Sequence, residues 1–222
     1  MTEQWTQQEF NPTLLLWDQC ETIEQYQALN IAFVSGAIDR SPSHDGPLDP
    51  ETSIIGDQII KANKLGCITI DSQPYDDFIA HHRGGIRVRQ HPYCFLYYDR
   101  NKTDRLIQIM LTKEINRLTG SKIPQLIIHC YDPIIHNVTS FNKDGNWTFD
   151  QDFINGRWNL EFGSVSIPDQ NYMREYFFGD IRTDKIRSLF ANNLKLLMIY
   201  DNQNNNNMFN ALVEAAYELF LI

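Results

Sequence analysis

Arg87, Arg89 and His91 fall at every second position of a β-patterned run. On an extended strand, residues two apart share a face about 6.6 Å from one to the next. Two guanidinium groups and an imidazole are therefore expected along one side, while Ile86 and Val88 turn toward the core. Arginine forks match phosphate or carboxylate oxygens in pairs, so this side can hold an anion. Arg83-Gly84-Gly85, just upstream, offers backbone that a ligand can approach closely. The alternative is a solvated face whose charges pair with neighbouring Asp and Glu. Ser72 and Gln73, followed by Pro74, end a strand of buried character, where open α/β sheets place ligand loops. With Asp71 they can hydrogen-bond a substrate, or equally satisfy the loop's own backbone. The candidate ligand-binding residues are thus Arg87, Arg89, His91, Ser72 and Gln73.

Other chemistry is thinly represented. His81 and His82, with Asp76 and Asp77 upstream, invite a metal reading, but adjacent histidines diverge on a strand or a helix and do not readily share one ion. His129, Asp132 and His136 form a second sparse set. No metal and no cofactor is expected. The sequence holds no Gly-x-Ser-x-Gly elbow, no phosphate loop and no dinucleotide fingerprint. Cys20, Cys67, Cys94 and Cys130 are widely spread, without a Cys-x-x-Cys pair.

These residues need a scaffold, and the patterning supplies one. Thr22 can cap a helix running to Gly36, with Ile23, Tyr26, Leu29 and Phe33 at helical spacing. Asp49, Pro50 and Glu51 mark the start of a second helix, and Gly66 its end. Strand 67–71 follows at once, stopped by Ser72-Gln73-Pro74. Residues 86–98 read as β with a break at Pro92. A helix capped by Thr103 runs to about Leu118, and a strand covers 125–131. Asp144-Gly145 reads as a hairpin turn between 138–142 and 146–150, and 158–167 as another strand. Thr183 caps a further helix, 194–200 is a strand, and a helix closes the chain. Tyr93–Tyr131 and Tyr176–Tyr200 share one pattern of strand, Thr-Asp helix start, helix and strand, each a possible crossover unit. The expected fold is α/β or α+β. Residues 1–13 form a flexible N-terminal arm and 14–222 a single domain, with a mixed central sheet of about six to eight strands flanked by four or five helices.

Composition sets the class. At 222 residues with 42% hydrophobic and 21% charged residues, the chain can bury a full core. A net charge of −9 disfavours generic binding to nucleic acid or anionic membranes. The acidic, polar start Met1-Thr2-Glu3-Gln4-Trp5 lacks a signal-peptide pattern, and no apolar run is long enough to span a bilayer. The expected setting is cytoplasmic and reducing, away from membranes.

From Gly46 to Pro74 the residues Gly46-Pro47, Glu51-Thr52, Asn63, Gly66, Thr69 and Ser72-Gln73-Pro74 resemble an uncharacterised family shared by giant (mimivirus-type) DNA viruses and actinobacteria. Trp17 and the helix after it fit the same pattern. Gln90-His91-Pro92-Tyr93 resembles that family's Gln-Arg-x-Tyr segment, with His91 in place of the usual Arg. The likeness covers residues 14–98 and implies no activity. It implies a viral setting and, if so, the host cytoplasm.

Three functions follow as expectations. The first is a binding or interaction protein acting on a host factor. The second is an enzyme or sensor that takes a small phosphorylated or nucleotide ligand on the Arg/His face. The third is a structural component of a virion. Whether any reaction is catalysed stays open.

Overall fold

The computed structural model describes residues 12–44, 46–80, 86–117, 126–141, 171, 174–175, 179, 181, 183–201 and 206–221. Its helices are α1 (Pro12–Asp18), α2 (Ile23–Val34), α3 (Gly56–Lys64), α4 (Thr103–Arg117), α5 (Asp184–Asn193) and α6 (Asn207–Phe220). Its strands are β1 (Ile68–Gln73), β2 (Asp76–Ala80), β3 (Ile86–Gln90), β4 (Tyr93–Asp99), β5 (Leu126–Asp132), β6 (Asn137–Phe141) and β7 (Leu194–Asp201). The hairpin turn at 144–145, the strand at 158–167 and residues 176–178 lie outside the described residues.

Local chemistry explains most boundaries. The Thr22 hydroxyl accepts from the Gln25 N–H and starts α2, and Thr183 does the same for Ile186 at α5. Pro50 opens a tight 3₁₀ segment, Pro50–Ile55, which passes into α3 at Gly56; Asp49 makes no side-chain cap there. Gly66 turns the chain at a φ of +100°, the left-handed conformation that glycine adopts without strain.

The fold is α+β. Five strands form one sheet in the order β1-β4-β7-β5-β6, and β2 and β3 form a separate ribbon. A mixed sheet was expected, yet every described pairing is antiparallel. β4 and β5 both run antiparallel to β7, so they point the same way, with α4 linking them and β7 inserted between. Their residues are buried on both faces, because helices cover both. On one face Phe190 of α5 meets Tyr97 of β4 edge-on at 4.9 Å, Tyr26 of α2 meets Phe190, and Trp17 of α1 meets Tyr26. On the other, α6 packs against α3 and α4, where Lys113 reaches Glu214 and Glu218.

β2 and β3 continue the β1–β4 hairpin. Gln73 pairs with Tyr93 and Asp76 with Gln90 in an unbroken register, which sets Pro74 opposite Pro92. Neither proline has an N–H, so the ladder is interrupted there. Neighbouring backbone bonds turn to the C-terminal elements: Tyr75 N–H donates to Asn206 Oδ1, and Pro92 C=O accepts from Asp201 N–H.

Candidate functional site

β1 is an edge strand, and its outer side needs partners. Asn63, fully buried on α3, supplies several. Its side-chain oxygen accepts from the Thr69 N–H (3.2 Å) and from Asn30 Nδ2 of α2 (2.7 Å). Its amide donates to the Thr69 hydroxyl (2.7 Å) and the Ile59 carbonyl (2.9 Å). Asn30 also donates to the Thr69 carbonyl, and the Ser43 hydroxyl to the Ile70 carbonyl. Buried polar groups this fully satisfied fix one arrangement of α2, α3 and β1.

Beyond that lock, a cleft of about 270 Å³ opens between the end of β1, the loop 43–49 and the 3₁₀ segment. Phe33, Val34, Leu48 and Ile59 contribute apolar wall. Ser72, Gln73, Asp71, Thr52, His44 and Asp49 contribute the polar groups. Gln73 donates one amide N–H to Glu51 Oε1 at 2.7 Å, which leaves its carbonyl oxygen and its second N–H available. The Tyr93 hydroxyl donates to Asp71. The described lining contains no Lys or Arg.

This cleft lacks the geometry of a catalytic triad despite holding Ser, His and Asp. His44 places one ring nitrogen 3.1 Å from the Gly46 carbonyl and the other 3.7 Å from Asp49, so neither meets a hydroxyl. Ser43 spends its hydroxyl proton on the Ile70 carbonyl. The four cysteines are buried and unpaired with one another. Burial pushes the Cys67 and Cys130 thiols up to about 12 and Cys94 well above its ordinary range, leaving them protonated and unreactive.

Ser72 and Gln73 lie on β1 itself rather than on the loop after it, and both line the cleft. Arg87 and Arg89 lie on β3, where backbone register sets Asp77 opposite Arg89 and Ile79 opposite Arg87. His91 falls past the end of β3, half-buried in the proline break. The Arg83-Gly84-Gly85 run and the His81-His82 pair lie outside the described residues.

His129 sits fully buried on β5, against the Tyr200 ring, and burial pushes its pKa down to about 4. Asp132 is held by Arg100 through two 2.6 Å contacts, and the Tyr131 hydroxyl contacts His136. Among the described residues no three metal-ligating side chains converge. No described helix is long and apolar enough to cross a membrane.

His44, Thr52 and Phe33 were not anticipated as site residues. The signal available for Thr52 was its place in the Glu51-Thr52 pair of the family-like run. That run divides in space: Asn63, Gly66 and Thr69 build the support, while Thr52, Ser72 and Gln73 face the cleft. No protein-family model matches the chain, and no curated protein matches it.

Proposed function

We propose that this chain is a binding protein whose ligand occupies the cleft at the outer edge of β1. The observation that carries this reading is the convergence of Thr52, Ser72 and Gln73 on one hollow, braced from behind by the fully satisfied Asn63 network. Concave, partly apolar sites with a few fixed polar groups are where small ligands bind. A binding role also fits the protonated cysteines and the engaged histidine, which leave the cleft without an activated nucleophile.

The resemblance over residues 14–98 suggests a viral setting, in which the occupant is a host component. A phosphorylated ligand draws no support from a cleft whose described lining carries carboxylates and no Lys or Arg. The test is a fragment screen on the full chain by ligand-observed NMR, repeated on Ser72→Phe. Ser72 is half-exposed, so a ring there fills the cleft without entering the core. Hits that vanish in the variant support the reading. Hits that persist unchanged, or no hits at all, refute it.

A further inference from the structure

Thr52 has a feature that its surroundings do not account for. It is 5% exposed and lines the cleft, and its backbone N–H donates to the Asp49 carbonyl. Its hydroxyl meets no hydrogen-bond partner among the described residues. A hydroxyl at the wall of a hollow, with no partner from the protein, is open to bond an occupant of that hollow. Ser72, a half-buried residue lining the same cleft, has a hydroxyl likewise without a partner among the described residues.

The character of the other polar groups sets the occupant's chemistry. Gln73 adds its carbonyl oxygen as an acceptor, with one of its two amide N–H groups held by Glu51. Asp71 and Asp49 bring carboxylates, and Glu51 lies just behind Gln73. Acceptors therefore dominate, and hydroxyls can serve as acceptors too. The described lining includes no Lys or Arg to neutralise them. The chain's net charge of −9 adds a long-range field of the same sign. Phe33, Val34 and Ile59 offer apolar surface alongside.

Resting on the binding reading above, we infer that the cleft receives a small organic cation: an ammonium or guanidinium group on a short aliphatic stem. The head donates to Thr52, Ser72, Gln73 and Asp71, and the stem lies on the apolar wall. Such a group belongs either to a free amine or to a Lys or Arg side chain of a partner.

Calorimetric titration and thermal shift of the full chain test this with n-butylammonium and n-butylguanidinium as probes. Butanol and butyrate serve as neutral and anionic counterparts of the same stem. The cations are expected to bind saturably, and Thr52→Val and Ser72→Ala each to weaken them about tenfold, the loss of one hydrogen bond to a charged group. Thr52→Val keeps the side-chain shape, and circular dichroism checks that both variants fold. Binding of butanol or butyrate at equal or higher affinity overturns the cation assignment and leaves the binding protein standing. Saturable binding of none of the four overturns the assignment. A blank fragment screen as well removes the binding reading with it. A doubly blocked lysine amide distinguishes the sources: tighter binding than butylammonium assigns a protein side chain, and weaker binding a free amine.

Discussion

Replacing Asn63 by leucine tests whether the polar lock positions the cleft. Leucine keeps asparagine's branching and is somewhat larger, so the change removes hydrogen bonds without opening a cavity. Two buried groups lose their side-chain partner: the Thr69 N–H, now 3.2 Å from Asn63 Oδ1, and the Thr69 hydroxyl, 2.7 Å from Asn63 Nδ2. Asn30 keeps its bond to the Thr69 carbonyl but loses its 2.7 Å bond to Asn63. Each buried group left unsatisfied costs about 1–3 kcal/mol, and the added apolar burial offsets part of that. The net expectation is a loss of about 3 kcal/mol, a large share of the roughly 5–15 kcal/mol that holds an ordinary domain folded. Urea denaturation reads this as a lower midpoint at unchanged slope. Amide hydrogen exchange at Thr69 is expected to accelerate with it. A loss below about 1 kcal/mol, with Thr69 still protected, would show that main-chain pairing alone fixes β1 and that the network is incidental.

Three further outcomes are expected. Burial pushes His129 from 6.5 down to about 4, so the unfolded chain takes up a proton between these values while the native state does not. Stability should fall by about 3 kcal/mol as pH drops through that window and level off below it, and His129→Leu should remove this component from a pH series of urea midpoints. Arg100 binds Asp132 and also donates to the carbonyls of Ala191, Asn192 and Leu194 at the end of α5. Arg100→Ala should therefore cost about 2–4 kcal/mol in urea denaturation, and more than Asp132→Asn, which retains an acceptor for the arginine. Gly66→Ala should cost about 1–2 kcal/mol through its φ of +100° alone, since an added Cβ meets only Tyr98 at 3.8 Å. Gly66→Asn should recover part of that loss, with both variants read by thermal melts.

Elements carried by local chemistry were legible in the sequence. Thr22 and Thr183 cap the helices they were expected to cap, Gly66 takes the left-handed turn, and Pro92 breaks the β run where a missing N–H demands it. Sheet direction was not legible, because β7 inserts between β4 and β5 only through long-range pairing. Period-two spacing gave Arg87, Arg89 and His91 a common strand face, but it could not reveal that the strand ends at Gln90, before His91. Ser72 and Gln73 were identified from their position after a buried run. Thr52, His44 and Phe33 come from three other segments, and only folding brings them to β1. No spacing rule connects residues so far apart in the chain.

A pair of ¹H–¹⁵N correlation titrations of the full chain, one with n-butylammonium and one with inorganic phosphate, bears most directly on where ligands go. Butylammonium is expected to move the amides of 43–52 and 69–73 while β2 and β3 stay still and phosphate leaves both regions unchanged. Phosphate shifts centred on Arg87 and Arg89, with the amides around Thr52 and Ser72 unmoved by the amine, would contradict the cleft reading and return the site to the ribbon.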